Sequence, residues 1–241
     1  MIGEVAGFDQ VLALGEVAAL DEAEAKAEQE RLRALVRADG VAADEVRLIA
    51  GVDVAYAKDE SIVAGAVVVL DAVTRQVVAS ATAVRPVEFR YVPGLLAFRE
   101  IPALLDALAA LGSRPDAIVC DGYGVAHPRR FGLACHLGVL TDLPTFGVAK
   151  TAFVGEYPPP GPERGDWSNL TDRGEIVGRV LRTQRGTKPV FVSTGHRIGL
   201  AAATQLTLAL AADYRLPETT RQADRLSRQI LAEQRQPGVS S

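Results

Sequence analysis

The 241 residues are 48% hydrophobic, enough to bury one large core, and the only two cysteines, Cys120 and Cys135, are too few for a disulfide-framed secreted fold or a zinc ribbon. No run reaches the roughly 18 consecutive apolar residues of a membrane-spanning helix, and Glu4 and Asp9 stand where a secretory signal carries lysines ahead of an apolar block, so a soluble cytoplasmic protein is expected. A net charge of −4 argues against coating nucleic acid by bulk positive charge, though a local basic cleft around acidic residues is compatible with it.

In chain order, the Ala-, Glu-, Leu- and Arg-rich stretch from about residue 16 to 38 predicts a long N-terminal helix, with Leu20, Ala27, Leu32 and Leu35 as its apolar stripe. Three β-rich segments follow, Arg47 to Tyr56, Ile62 to Leu70 and Gln76 to Val84, and their short connections predict an antiparallel meander. A helix is expected over Leu95 to Leu111, then a buried strand from Asp116 to Asp121, a helix from Phe131 to Leu140 and a strand from Thr145 to Ala149. That alternation favours parallel strands, so the sheet should be mixed. The run Tyr157 to Pro162 must be a loop because its prolines suit neither regular structure, and it is a candidate rim of the site. Strands over Ile176 to Arg182 and Val190 to Ser193, helices over Ala201 to Tyr214 and Thr219 to Glu233, and a disordered tail from about 236 to 241 complete a single domain, 1–241.

Acids inside apolar strands carry the chemical information. Asp53 interrupts Ile49-Ala50-Gly51-Val52-Asp53-Val54-Ala55, where a charge is costly unless paired or bound to metal. Asp121 ends Ala117-Ile118-Val119-Cys120, at the edge where open α/β sheets keep their ligands, and Glu100 lies on the helix expected to cross nearby. Three converging carboxylates suit Mg²⁺ or Mn²⁺ and phosphodiester hydrolysis. Each has an ordinary alternative: Asp53 could pair with a buried arginine, Asp121 could cap a turn, and Glu100 could be solvated.

The segments Ala50-Gly51-Val52-Asp53, Tyr91-Val92-Pro93-Gly94-Leu95-Leu96-Ala97-Phe98-Arg99-Glu100, Asp121-Gly122-Tyr123-Gly124 and Ala126-His127-Pro128-Arg129 resemble the endonuclease V family. So do Gly132 with Ala134, His136 and Gly138, the run Pro144 to Lys150, and Val192-Ser193-Thr194-Gly195-His196-Arg197. The resemblance implies a ribonuclease-H-like mixed sheet flanked by helices. It also implies a response to DNA damage: a Mg²⁺-dependent repair endonuclease, with Mn²⁺ able to substitute, that cuts the second phosphodiester 3′ to inosine or deoxyinosine and leaves 3′-hydroxyl and 5′-phosphate ends. By position, Asp53 and Asp121 bind metal, Glu100 assists, Lys150 faces the scissile phosphate and Asp224 lies near the metal. Tyr91, with Pro93 and Gly94, corresponds to the wedge inserted where the base leaves the stack; Gly122 and Gly124 admit the extruded hypoxanthine; His127 and Arg129 reach the phosphate backbone. His136 and His196 stay open between structural and functional roles.

Two departures stand out. Arg90 replaces the proline that usually opens the wedge motif, which questions the wedge's rigidity, and Tyr123 replaces a common Gln or Asn, which touches base recognition. A monomer acting on DNA, or mainly on RNA as an inosine-specific ribonuclease, is expected. The rivals are a non-catalytic inosine or branched nucleic-acid binding protein, and a zinc hydrolase using His127, His136 and His196, for which no His-Glu-x-x-His spacing exists. Ser193 lies outside any Gly-x-Ser-x-Gly turn, which sets aside a serine hydrolase.

Overall fold

The computed structural model describes residues 20–234; the expected tail and the first residues of the expected N-terminal helix lie outside them. Helix α1 is Glu22–Arg33, and strands β1 (Leu48–Tyr56), β2 (Ile62–Asp71) and β3 (Val77–Pro86) follow. Next come α2 (Ala97–Ala109), β4 (Ala117–Cys120), α3 (Leu133–Thr141), β5 (Thr145–Ala149), β6 (Trp167–Asp172), β7 (Glu175–Leu181), β8 (Val190–His196), α4 (Leu200–Leu210) and α5 (Glu218–Gln234). They form one eight-stranded sheet in the order β3-β2-β1-β4-β5-β8-β7-β6. Strands β1, β4 and β5 are mutually parallel, while β1 to β3 and β5-β8-β7-β6 pair antiparallel, so the sheet is mixed as expected.

Alternation along the strands divides the core into two faces. Ile49, Ala117, Val119, Phe146 and Val192 pack with Ala203, Leu206 and Leu210 of α4 and Ala223 of α5. Ala50, Val52, Ile118 and Cys120 turn the other way, onto Leu104 and Leu108 of α2 and Ala134 and Leu137 of α3. Asp53 therefore points with Ile49 and Gly51 toward α5. Helix α5 lies so close to β1 that a methyl at Gly51 would collide with the backbone of Thr219.

Three expectations need correction. Helix α1 begins after Asp21, whose carboxylate takes the amides of Ala23 and Glu24 while Glu24 returns a bond to the Asp21 amide. It stops at Arg33 and not near residue 38, because the Arg37 backbone is drawn to β8: its carbonyl accepts from the Arg197 amide at 2.6 Å and its amide donates to His196 Nδ1 at 3.3 Å. Its buried stripe is Ala25, Gln29 and Leu32, whereas Leu35 is exposed. Helix α4 ends at Leu210, short of Tyr214, where Gln184 takes the carbonyls of Ala211 and Ala212, each at 2.8 Å. Strand β6 has no counterpart in the sequence pattern. The proline run is a loop, but it packs on β6 and β7, with Ser168 donating to Pro158 O and Arg182 to Gly161 O, and does not line the cavity described next.

Candidate active site

At the carboxyl ends of the parallel strands lies a cavity of about 390 Å³, lined on one side by Tyr91, Pro93 and Gly94, on another by Tyr123 and Phe153, and at its floor by Glu100, Asp121, Gly122 and Lys150. Its size falls in the range of small-molecule pockets, roughly 300–1,000 Å³. Asp121 follows β4 and Lys150 follows β5, and adjacent parallel strands bring the ammonium to 2.5 Å from Asp121 Oδ2. Asp53 sits one strand over and accepts from Ser227 Oγ of α5 at 3.3 Å; the same hydroxyl is 3.0 Å from the Asp224 carbonyl. The Asp224 carboxylate is taken by Arg228 at 2.8 and 2.9 Å.

The electrostatics are those of crowded acids. Burial first, then the charges of Asp121 and Asp224, push Asp53 up to about 7. Burial and the charges of Asp53 and Asp121 push Glu100, 8% exposed, up to about 8. Burial disfavours the charged Lys150 ammonium, but its hydrogen bond to Asp121 and the charges of Asp121, Asp53 and Asp224 outweigh that and raise its pKa. Such an anionic excess suits a divalent cation with oxygen ligands. As the side chains stand, among the described residues no three His, Cys, Asp or Glu surround one point, and Asp121, Asp224 and Asp53 are each held by their own neighbour.

A family model described as endonuclease V matches residues 30–225. The chain belongs to the endonuclease V family. An endonuclease V of Streptomyces avermitilis is 58% identical over 214 residues, covering 88% of this chain and 93% of that protein. The crystal structure of the Streptomyces avermitilis endonuclease V superposes with a TM-score of 0.85 at 56% identity, covering 89% of this chain and 94% of the other. Endonuclease V of Ciona intestinalis, solved in complex with a 24mer DNA containing an inosine followed by a ribo-adenosine, superposes with a TM-score of 0.76 at 28% identity, covering 88% and 98% of the two chains. The fold is thus ribonuclease-H-like and the chain an endonuclease V-type nuclease.

The endonuclease V fold gathers Asp53, Glu100, Asp121, Lys150 and Asp224 at one end of the sheet, with Tyr91, 62% exposed, at the cavity mouth. Of the other predicted contacts, Pro93, Gly94, Gly122 and His127 line the cavity, and Gly124 and Arg129 do not. Gly122 lines the cavity, whereas Gly124 is behind it, its amide donated to Ser193 Oγ at 2.8 Å. His127 lines the cavity with little of it exposed, packed edge-on against Phe153 at 5.5 Å, and burial, with the Arg129 charge second, pushes it down to about 4. Arg129 donates to Gln29 Oε1 and to Gly94 O at 2.5 and 2.6 Å. His136 is packed between Phe98 and Phe131, and His196 joins the Arg37 amide and Asp142 far from the cavity; the three histidines form no common site. Both cysteines are buried and free.

Sequence reasoning missed four residues. Gln29 and Ser227 are polar residues on the buried stripes of α1 and α5, a signal visible once the stripe is phased correctly. Phe153 stacks on Tyr123 at 5.2 Å, and the Tyr123 hydroxyl donates to Thr151 O at 3.2 Å, so an aromatic pair forms one wall where the usual amide residue is missing. Arg215 donates to Lys150 O at 2.8 Å and to the carbonyls of Lys188 and Pro189, steadying the lysine's backbone from the loop before α5. Nothing local in the sequence marks that last contact.

Proposed function

We propose that this chain is a divalent-cation-dependent repair endonuclease that takes an extruded hypoxanthine into the cavity and hydrolyses the second phosphodiester 3′ to inosine or deoxyinosine, leaving 3′-hydroxyl and 5′-phosphate ends. The observation that carries the reading is a single cavity whose wall is the Tyr91 loop and whose floor is Glu100, Asp121 and Lys150. A base drawn through the mouth would anchor the strand so that the backbone on its 3′ side meets the acids, with the base taken out of the stack for recognition. The Ciona relative crystallised with inosine-containing DNA supports the choice of base.

Asp53 and Asp121 are the residues to hold Mg²⁺ or Mn²⁺, with Glu100 and Asp224 adjoining them. The ion, when bound, supplies Lewis acidity toward a phosphoryl oxygen and a more acidic water. Lys150 stands where an ammonium offsets charge developing on the phosphate. Ser227 orients the Asp53 carboxylate by its hydrogen bond. Tyr91 enters the stack vacated by the base, and the Tyr123 and Phe153 rings offer that base an apolar wall.

The test is cleavage of matched, end-labelled DNA and RNA oligonucleotides with inosine or a normal base at one position, in Mg²⁺ or chelator. Metal-dependent cutting one nucleotide beyond inosine is expected. A folded protein that retains inosine strands and cuts none of them would instead be a binding module.

A further inference from the structure

The loop that carries Tyr91 is fastened at both ends to α1, by contacts that involve neither the acids nor Lys150. At its start Arg90 pairs with Glu22 at 2.9 Å. At its end the turn Val92-Pro93-Gly94-Leu95 closes with the Leu95 amide on Val92 O at 2.9 Å, with Pro93 leading and Gly94 at φ +80°, the pattern of a type II turn. The Gly94 carbonyl then accepts two donors, Gln29 Nε2 at 3.0 Å and Arg129 Nη2 at 2.6 Å. Both lone pairs of that oxygen are in use, so the peptide plane has little freedom to rotate.

Gln29 is 1% exposed and uses both of its amide hydrogens and its oxygen here: its amide also donates to Phe131 O at 3.2 Å, and its oxygen accepts Arg129 Nε at 2.5 Å. A methyl at Gly94 would stand 2.7 Å from Arg129 Nη2, so the guanidinium packs where only glycine leaves room. Beneath the turn, Ala25 of α1 shares an apolar cluster with Phe89, Leu95 and Phe98. The Tyr91 ring itself lies 6.0 Å from the Arg99 guanidinium, which Glu60 holds at 2.9 Å.

We propose that Gln29 and Arg129 are positioning residues: with α1 as the base plate, they hold the 90–94 loop in the register from which Tyr91 separates stacked bases. Arg90 at the loop's start then serves by its ion pair where a proline would have served by ring stiffness. Arg129 acts through the loop and not through phosphate. The inference rests on the reading of Tyr91 as the stack-opening residue.

Cleavage by the full chain of an inosine strand, once in a matched duplex and once alone, tests it, because only the duplex requires stacked bases to be parted. Gln29→Met keeps the volume and carries no charge to lose; its duplex kcat/KM should fall about tenfold, the scale of a small misplacement in a site, and its single-strand value less than about threefold. Tyr91→Ala should show the same selectivity, and the double variant should lose no more than Tyr91→Ala alone. Arg129→Lys, which retains charge without the fork, should match Gln29→Met, whereas a phosphate-contacting arginine would be rescued. Equal losses on both substrates, as from a merely weakened fold, or additive losses in the double variant overturn the proposal. Amide hydrogen exchange without nucleic acid separates this from the proposed function: Gln29→Met should expose the Leu95 amide and leave α5 protected even if the wild type cuts no inosine strand. Unchanged protection at Leu95 would sink the clamp by itself.

Discussion

The two ends of the parallel strands hold the same residue types to opposite effect. Where β4 and β5 begin, Asp116 accepts the amides of Arg47 and Leu48 at 2.9 and 2.8 Å, and Asp142 meets Arg37, Arg197 and His196 at 2.9, 2.7 and 3.3 Å. Burial opposes ionisation of Asp142, yet the hydrogen bond from His196 and the charges of Arg197 and Arg37 together hold it below the usual carboxylate range. Where the strands finish, Asp53 and Glu100 are displaced upward by burial and by other acids. Balanced charge marks the end that joins segments of the fold, and surplus charge marks the end that awaits a partner from outside.

The largest expected effect sits at the unbalanced end. Asp53→Asn and Asp121→Asn should each reduce metal-dependent cutting by about a thousandfold or more, since each removes a carboxylate for the ion, and Lys150→Met by about a hundredfold, since it removes the cation facing the reacting phosphate. Asp53→Asn should also stay folded and melt no lower than wild type at alkaline pH in chelator, because it relieves repulsion. A variant that keeps full activity would remove its residue from the site. A variant that unfolds would show that the acids are structural after all.

The pH dependence separates the two ends by sign. Asp53 and Glu100 have folded-state values of about 7 and about 8 against ordinary values of 3.8 and 4.5, so the folded state binds the extra protons. Their contribution to stability is complete below the ordinary values and is lost as pH rises through about 7 and then about 8. Asp142 is displaced downward, so its contribution is present above its ordinary value and is lost as pH falls. In chelator, the contribution of these two acids to the melting temperature should therefore decline from about pH 5 to about pH 8 and level off above, less steeply in Asp53→Asn, and Mg²⁺ should restore more at the alkaline end. Calorimetry across that range checks it; a flat profile with identical curves for both proteins contradicts the crowding of the acids.

What the sequence reveals depends on whether a signal is local. Asp53 and Asp121 are legible because each breaks an apolar strand, and strand pairing then places them side by side by necessity. Strand β6 is not, because Trp-Ser-Asn-Leu-Thr-Asp has only Leu170 fully buried and is an edge strand, whose outer side asks for no apolar alternation. Periodicity misplaces the end of α1 because the competitor for the Arg37 backbone is Arg197, at the far end of the chain and invisible to any helical pattern. Arg129 reads as a phosphate contact only through the family resemblance; its hydrogen bonds to Gly94 and Gln29 span 35 and 100 residues and leave no local pattern.

The smallest effect tests the balanced end by itself. Asp142 occupies the left-handed region at φ 48°, which asparagine tolerates, so Asp142→Asn keeps the backbone and the acceptor oxygen and removes only the charge. Its side chain is 61% exposed, and the ion pairs it loses with Arg37 and Arg197 are therefore screened by solvent. The cost should be about 1 kcal/mol, or about 2–4 °C in melting temperature for a chain of this size. Inosine cutting should stay within about twofold of wild type, as surface pairs remote from a site rarely couple to it. A loss of activity as large as that of Lys150→Met would mean that the contact between the chain after α1 and β8 is transmitted along the sheet to the acids, and the two ends would have to be treated as one site.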